Sequence, residues 1–441
     1  MLGRLATYVV PAASVTVTAL VLFGPGSPNP APFVRVRGVP VAGGNTIALR
    51  LEGAWRSFGA DAVATFEGVI VEVEDGGAKL ASKPISFGPD GVGEASIENG
   101  APFVGPLSVR VLRGETILAE GTVPLRAPSR AGTPDPMITG LSKGHFRFFV
   151  RPRRGLFVSP FPEALDVSVG LPEIVSPSLR SFAGITLALS GPGASITPER
   201  ATTDEQGAAS FTVTPTAHHV ELSIDARDPE GNEGHWEGIL PVWPGATWLD
   251  PDRSKGLVLV SPAPRDRVYV SVVTDAGRLL GAVVPLARDD AGFFRGRLDL
   301  TPPADPASIV VAGDPGERGD GTVAWPLAPD AVATNAPRLE LLLDGSAAAE
   351  ARERARASSA RLVAVCLVAV AALAEVLLIL ARTQSSQRAL EANLAEAAAA
   401  EERPEILATA RQRHAGLRVA LAASLVLLGF VLIAALSTFR P

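Results

Sequence analysis

Two patterns of apolar and polar positions divide the chain. From residue 32 to 328, short alternating strands are separated by clusters of Gly, Pro, Asp and Asn, which is typical of antiparallel β-sandwiches. Clear alternating segments are Val69–Glu74, Leu107–Leu112, His219–Asp225 and Val268–Val273. Continuous apolar runs lie outside this region, at Leu5–Phe23, Leu362–Ala381 and Val419–Leu436. Each run is long enough to cross a bilayer. The sequence therefore predicts a mainly β protein with tandem sandwiches, plus an α-helical membrane region of three transmembrane helices.

Stretches rich in Pro, Gly and Ser near Ala127–Asp135 and Trp243–Asp250 mark the predicted boundaries between sandwiches. Helix-forming residues then run from Ser346 to Arg403 without Gly or Pro, and Pro404 suits the first turn of another helix. The predicted organisation is an N-terminal anchor and linker (1–31), three sandwiches (32–130, 131–245 and 246–328), a linker (329–345), a long helix (346–402) containing the second span (362–381), a return helix (403–417) and the third span (418–437).

A weak internal repeat supports a modular interpretation. The pattern Asp-x-x-Gly, followed by a strand, occurs at Asp90, Asp204 and Asp289. In such a turn the Asp side chain bonds back to the backbone, and the Gly takes the left-handed conformation. A second mark, Asp-Pro, follows the second and third copies at Asp228 and Asp314. These marks predict that each sandwich is one copy of a repeated module.

The segment from Thr203 to Phe211, TDEQGAASF, with DARDPEGN from Asp225 to Asn232, resembles bacterial immunoglobulin-like domains. It is also similar to the sandwiches of macroglobulin-type and carboxypeptidase-regulatory modules. The resemblance covers one Ig-like sandwich closely and a second loosely, and it extends to no family for the whole chain. It implies roles in adhesion, spacing or protein contact. Because its motifs are turn chemistry, they indicate a fold and no particular activity.

Composition excludes several classes of function. The formal net charge is −6, whereas a general nucleic-acid binder needs a basic face. The single cysteine, Cys366, lies in the second apolar run, so no intrachain disulfide can form. The sequence contains no P-loop, dinucleotide fingerprint or Gly-x-Ser-x-Gly motif. We therefore expect a non-enzymatic protein that uses no cofactor, metal or nucleic acid.

The histidines are not expected to converge on a metal site. A turn near Glu230 places His235 opposite Asp225, and His219 then lies about 20 Å from that pair. We expect a surface pair between His235 and Asp225. The loop from Asp225 to Glu233 is rich in carboxylates but lacks the spacing of a calcium loop. A solvated hairpin is therefore favoured over Ca²⁺ binding.

A second candidate is a patch of arginines interleaved with phenylalanines. Its members are Arg147, Arg151, Arg153 and Arg154. Outside the membrane such a patch would suit anionic ligands, either glycans or lipid head groups. The alternative is structural, because strand alternation would turn Phe146, Phe148 and Val150 into the core and the arginines towards solvent.

Positive charges near the spans predict the orientation. Arg4 and the arginines between the second and third spans favour a cytoplasmic N-terminus and inter-span loop. Residues 32–350 then lie outside the cytoplasm of a bacterial plasma (inner) membrane. The first apolar run is longer than the core of a signal peptide, and prolines follow it, so an uncleaved anchor is favoured. Basic residues on the outer side of the second span argue against this orientation; they are Arg352, Arg354, Arg356 and Arg361.

Three polar residues fall at similar depth in the predicted spans: Glu375, Ser424 and Ser14. A polar residue within a bilayer usually faces other helices, and an ionisable one indicates function by default. Glu375 therefore has two interpretations. It couples to a proton, an ion or a basic partner group, or it packs in its neutral form against Ser424.

These features favour a membrane-anchored extracytoplasmic binding or scaffold protein of the bacterial cell envelope. The expected partners are the lipid bilayer and a protein of the membrane or envelope, and a homo-oligomer is an open alternative. Two other functions stay open. One is an accessory subunit of a transport or secretion complex that assembles through its transmembrane helices. The other is an extracytoplasmic hydrolase whose site is assembled from loops.

Overall fold

The computed structural model describes residues 30–57, 60–75, 77–127, 137–170, 182–252, 254, 256–300, 306–328 and 338–356, with positions 358, 366, 377, 381, 384–389, 392 and 393. These residues form strands in six sheets, which confirms the mainly β prediction. In chain order the strands are β1 (Ala31–Gly38), β2 (Thr46–Ser57), β3 (Ala60–Val63), β4 (Val69–Asp75), β5 (Ala78–Ile85), β6 (Val92–Glu98), β7 (Leu107–Arg113), β8 (Thr116–Val123), β9 (Gly140–Gly144), β10 (Arg147–Pro152), β11 (Glu163–Gly170), β12 (Thr186–Ser190), β13 (Ala194–Thr197), β14 (Arg200–Thr202), β15 (Ala208–Pro215), β16 (Glu221–Arg227), β17 (Glu233–Ile239), β18 (Trp248–Leu249), β19 (Leu257–Ser261), β20 (Arg267–Thr274), β21 (Gly277–Pro285), β22 (Ala287–Arg288), β23 (Phe294–Leu298), β24 (Ser308–Ala312), β25 (Val323–Pro326) and β26 (Glu340–Asp344).

The first sandwich combines the sheet β26-β1-β2-β3, in which β6 also pairs with β2, and the sheet β5-β4-β7-β8. Alternation explains its core: Val69, Val71 and Val73 of β4 are buried, as are Val109 and Val111 of the neighbouring β7. The residues between them on β4 are partly or fully exposed. This is the alternation expected of a strand with one face on a core and one face in solvent.

The last strand of the described chain returns to the first sandwich. β26 pairs antiparallel with β1, with Arg35 opposite Asp344 and Val36 opposite Leu343. Antiparallel pairing places the start of β1 and the end of β26 at the same end of one sheet. The predicted linker at 329–345 therefore ends in a strand of the first sandwich. Sequence alternation does not reveal this partner, because β1 lies so far away along the chain.

The second sandwich packs the sheet β10-β11-β15-β13 on the sheet β14-β12-β16-β17-β9. Its core includes Phe148, Val167, Phe211, Ile224 and Trp236, contributed by both sheets. Gly140 and Gly238 leave the room that the Trp236 indole occupies, since a Cβ at either position would lie within 2.5 Å of that ring. The core is thus built around one large aromatic side chain.

The third sandwich pairs the sheet β18-β19-β23-β22 with the sheet β21-β20-β24-β25. Its hydrophobic core continues into the second sandwich, because Leu156, Val158 and Phe161 from the loop between β10 and β11 belong to it. Phe161 stacks on Trp248 with ring centroids 4.8 Å apart. Buried apolar area is the main stabilising contribution to such a contact, so this loop of the second sandwich is held in the core of the third.

The predicted Asp-x-x-Gly turns are present in the second and third sandwiches. Gly207 N donates to Asp204 O at 3.0 Å, and Gly292 N donates to Asp289 O at 3.0 Å. Both glycines have positive φ, as the turn requires. In the first sandwich the same bond pattern begins at Gly88 and ends at Gly91, also with positive φ. The sequence match that began this copy at Asp90 was therefore two residues out of register.

The chain divides into two compact units. One comprises Pro32–Ala54 and Val63–Ser346 and holds the three sandwiches except for the end of β2 and most of β3. The other comprises Met1–Ala31, Trp55–Ala62 and Ala347–Pro441. In the second unit a helix, α1 (346–356), is described continuously, and every described position from 358 to 393 is also helical. Among the described residues, no helix combines the length and the apolar character needed to cross a membrane. The first and third predicted spans lie outside the described residues, and the second is described at three positions only.

Candidate functional site

The first and third sandwiches meet through a closed ring of charged and polar side chains. Its five members, which we call the charged ring, are Arg50, Glu94, Ser271, Arg278 and Glu317. Arg50 on β2 and Glu94 on β6 are directly opposite each other in the first sandwich. Ser271 on β20, Arg278 on β21 and Glu317, in the loop between β24 and β25, belong to the third.

Arg50 lies at the centre of the ring and is fully buried. Its Nε donates to Glu94 at 2.6 Å, and its Nη1 donates to Glu317 at 2.9 Å. The guanidinium also donates to the carbonyl oxygens of Pro315 and Val270 at 2.9 and 3.0 Å. The planar fork of an arginine can satisfy several acceptors at once, so this one side chain joins strand β2 to two segments of the third sandwich.

Arg278 closes the ring and is also fully buried. Its Nη2 donates to both oxygens of Glu94, at 3.0 and 2.9 Å, and its Nε donates to Ser271 Oγ at 2.8 Å. The Ser271 hydroxyl donates in turn to Glu317. Gly281 provides the space, because a Cβ there would lie 1.9 Å from Arg278 Nη2. Two arginines and two glutamates thus give a ring without net charge.

The electrostatics of the ring follow from burial and pairing. Burial alone would lower the pKa of Arg50, but Glu94 and Glu317 raise it above its ordinary value. Burial lowers the pKa of Arg278, and Glu94 acts against that shift. An arginine stays protonated in a protein in either case. Both cations therefore require their carboxylate partners.

Glu317 adopts an unusual backbone conformation. It is the only non-glycine residue with positive φ, at 53°, among those the structure describes. Its turn starts at Asp314, whose carbonyl accepts from Glu317 N at 3.2 Å, and the related turn at Asp228 has Gly231 in this position. A left-handed non-glycine residue costs free energy. The third sandwich thus carries a strained residue where the second has glycine, and that residue supplies the carboxylate for Arg50.

The predicted surface pair of His235 and Asp225 is confirmed. The two residues are opposite each other on β17 and β16, and His235 Nδ1 lies 2.7 Å from Asp225 Oδ1. The other ring nitrogen lies 3.0 Å from Glu237. Glu237 and Asp225 together raise the pKa of His235. His219 contacts Glu221 instead, at 3.4 Å.

In the carboxylate-rich loop, the side chain of Asp228 is hydrogen-bonded within the loop itself. Asp228 accepts from Asn232 N at 2.8 Å and from Asn232 Nδ2 at 2.7 Å. These bonds lower the pKa of Asp228. In the part of the chain that the structure describes, no group of three or more His, Cys, Asp and Glu side chains is arranged to hold a metal.

The arginine patch separates into surface and buried members. Arg147 and Arg151 are exposed on β10, while Phe148 and Val150 between them are buried, as alternation predicts. Arg153 pairs with Asp166 at 2.8 Å. This face of the second sandwich therefore carries three arginines.

Arg154 lies instead in the junction with the third sandwich. It is 2% exposed and donates to Glu163 and to Leu249 O, the latter at 2.7 Å. Its guanidinium lies 4.6 Å from the ring centroid of Trp325. The expectation that Arg154 belongs to a surface patch is therefore corrected. Arg154 lies two residues after Pro152, the last residue of β10. Strand alternation therefore no longer determines which way its side chain points.

The polar residues predicted in the membrane region, Glu375, Ser424 and Ser14, lie outside the described residues. Their contact stays a prediction. The charged ring, by contrast, was missed by sequence reasoning. One signal was available: the two Asp-Pro turns read DPEG at 228–231 and DPGE at 314–317, so Glu317 occupies a position that favours glycine.

No family model matches the chain, and no curated protein matches it. Similar solved structures include the adhesin InvE of Yersinia pseudotuberculosis, at 11% identity over 56% of this chain and 73% of that one, with a TM-score of 0.18. The Escherichia coli adhesin FdeC matches at 14% identity over 69% of this chain and 99% of its own, also at 0.18.

The alpha-2-macroglobulin of Escherichia coli is similar at 10% identity over 70% of this chain, with a TM-score of 0.18, and the match covers 23% of that protein. Adhesins and a macroglobulin are thus among the similar structures. TM-scores of this size carry no functional argument. The assignment of β-sandwiches rests on the sheets described above.

Proposed function

We propose that this chain is a membrane-anchored, extracytoplasmic and non-enzymatic binding or scaffold protein of the bacterial cell envelope. The observation that carries the proposal is the pairing of β26 with β1. The chain enters the first sandwich at the start of β1 and leaves it at the end of β26, so both connections depart from one end of one sheet. An apolar run lies beyond each of these connections, at 5–23 and at 362–381.

The lengths of the two connections support a common membrane surface. Residues 24–30 form a Pro- and Gly-rich segment that reaches about 24 Å when extended. On the other side, residues 346–361 belong to the helix that the sequence predicts, which would cover about 24 Å over this distance at 1.5 Å per residue. Two apolar runs that begin at about the same distance from one end of a domain can enter a bilayer side by side.

The joined sandwiches support a scaffold role. A loop of the second is held in the hydrophobic core of the third, and the charged ring joins the third to the first. Such contacts hold binding surfaces at fixed spacing instead of leaving them on flexible linkers. The most strongly buried ionisable groups are engaged with one another, which fits a structural use of charge more closely than catalysis.

Cysteine labelling in spheroplasts tests the anchoring and orientation. Cys366→Ser removes the native thiol, and single cysteines are then introduced by Glu230→Cys in the second sandwich and Ser386→Cys between the predicted spans. A membrane-impermeant maleimide should label Glu230→Cys in intact spheroplasts and Ser386→Cys only after lysis. The reverse pattern would overturn the orientation. Recovery of the protein in the soluble fraction would overturn the anchoring.

A further inference from the structure

The second sandwich carries a groove that the proposed function leaves without a ligand. The groove has a volume of about 750 Å³ and lies on the sheet β14-β12-β16-β17-β9. One row of side chains crosses all five strands in register: Arg200, Ala188, Asp225, His235 and Lys143. The residues that alternate with this row, such as Leu187, Ile224 and Trp236, are buried in the core. The row therefore faces solvent.

The carboxylates of the groove already have partners. Asp225 pairs with His235 at 2.7 Å, Asp228 is bonded to Asn232, and Glu233 lies 3.9 Å from Arg227. Arg200 differs, because this exposed guanidinium makes no ion pair with any described residue. Ala188 beside it is small and leaves the guanidinium accessible from the groove. The groove therefore offers an available cation next to satisfied anions.

The shape and the spacing restrict the ligand. Arg200 lies on β14 and Lys143 on β9, the two edge strands of this five-stranded sheet. At the usual separation between neighbouring strands, the two positions are about 19 Å apart. A ligand that contacts both must be an extended chain. The lining contains no aromatic or large aliphatic side chain to receive the apolar anchors that peptides use. A dense polyphosphate would be repelled by Asp225, Asp228 and Glu233.

We propose that this groove binds a polysaccharide bearing spaced carboxylates, with Arg200 and Lys143 pairing its carboxylates and the lining acids accepting bonds from its hydroxyls. The guanidinium fork can pair with a carboxylate through two parallel hydrogen bonds. The hydroxyl groups of a sugar can donate to the carboxylates of Asp225 and Glu233. The proposal rests on the proposed binding role, since it names the ligand class for that role.

His235 makes the affinity dependent on pH. The groups that face it are Asp225 on β16, Glu237 on its own strand and Lys143 on β9. Protonated His235 balances the two carboxylates, and its deprotonation leaves the row with one positive charge fewer. Binding of an anionic chain is therefore expected to weaken as pH rises through the raised pKa of His235.

The test is a binding titration of the full-length protein in detergent. The probes are polygalacturonate, its fully methyl-esterified and hence neutral form, and poly-glutamate. Polygalacturonate should bind, and the neutral polymer should not. Arg200→Gln should weaken binding by about fivefold or more, because it removes a charge-assisted pair with a ligand carboxylate. Arg110→Gln is the matched control, since it removes the same charge from an exposed position of the first sandwich, outside both the groove and the arginine patch.

Equal losses from Arg200→Gln and Arg110→Gln would overturn the proposal, because the attraction would then depend on total charge. Binding of poly-glutamate at equal strength would overturn it in favour of acidic peptides. Failure of all three probes to bind would also overturn it. The spheroplast labelling is independent of these results, so an extracytoplasmic sandwich with no polysaccharide binding would reject the groove alone.

Discussion

The third sandwich meets its two neighbours through junctions that differ in their balance of apolar and polar contacts. Towards the second sandwich it receives Leu156, Val158 and Phe161 into its own hydrophobic core. Towards the first it offers Ser271, Arg278 and Glu317 to the charged ring. The second and third sandwiches are therefore joined mainly by apolar contacts around the buried pair of Arg154 and Glu163, whereas the first and third are joined by directed polar contacts.

The difference shows what each kind of contact is suited to do. Apolar burial is strong but non-directional, and it suits a loop that the chain already holds in place. A buried ion network gains little net stability, because desolvation offsets the attraction, but it is satisfied in one geometry only. Arg50 and Glu317 are separated by 267 positions. The charged ring therefore fixes the register of two surfaces that chain connectivity does not align.

The largest expected effect comes from Arg154→Ala in the apolar junction. This substitution leaves Glu163 buried without its partner, so it should lower the free energy of unfolding by about 3–5 kcal/mol. Denaturant titration followed by tryptophan fluorescence reports on it directly, because Trp248 and Trp325 lie beside the guanidinium.

The neighbouring Arg153 provides the control. Its pair with Asp166 is partly exposed to solvent, and Arg153→Ala should cost less than about 1 kcal/mol. If Arg154→Ala and Arg153→Ala lowered the free energy of unfolding equally, burial in the junction would not determine how much an ion pair contributes to stability. In the double variant Arg154→Met with Glu163→Leu, most of the lost stability should return, since no unpaired charge remains.

Arg50→Met tests the charged junction. It leaves Glu94 and Glu317 without their shared cation, and we expect a local loss of about 2–4 kcal/mol. Hydrogen exchange should accelerate in β6 and β21, which face each other across the junction, and stay unchanged in β11 and β15 of the second sandwich. Arg110→Met, at an exposed position of the first sandwich, should change none of these rates. Acceleration throughout the chain would mean that the three sandwiches unfold together.

The two junctions also differ in how far the sequence predicts them. The pair of His235 and Asp225 follows from the DPEG turn, because a hairpin fixes the register of its own strands. The sandwiches follow from alternation. The charged ring does not, because Arg50 and Arg278 are placed by the packing of whole modules. The sequence does not predict the pairing of β26 with β1 for the same reason. A short strand of Glu and Leu residues does not specify a distant partner.

Glu317 permits a finer test of the charged junction. Glu317→Ala and Glu317→Gly both remove the carboxylate, and they differ in the cost of positive φ at this position. The glycine variant should therefore be more stable than the alanine variant by about 1 kcal/mol. The measurement is the denaturant midpoint of each protein at equal slope. If alanine is as stable as glycine, the strain at Glu317 is not stored in the backbone.

The smallest expected effect belongs to His235, whose exposed pairs serve as a solvent-screened reference for the buried ring. Glu237 and Asp225 raise its pKa in the folded protein above the ordinary value of about 6.5. A raised pKa means that the contribution is complete below that ordinary value and disappears as pH rises through the folded pKa. The melting temperature of His235→Gln should therefore lie slightly below that of the native protein at pH 5.5.

The two temperatures should converge as pH rises above the raised pKa of His235, where the side chain is neutral in both the folded and the unfolded state. Arg50→Met should show no such convergence, because an arginine keeps its charge over this whole range. A difference for Arg50→Met that disappears over the same pH range, or a constant one for His235→Gln, would contradict the assignment. The pH series therefore distinguishes the contribution of a buried arginine from that of an exposed, hydrogen-bonded histidine, even where the two change the melting temperature by similar amounts.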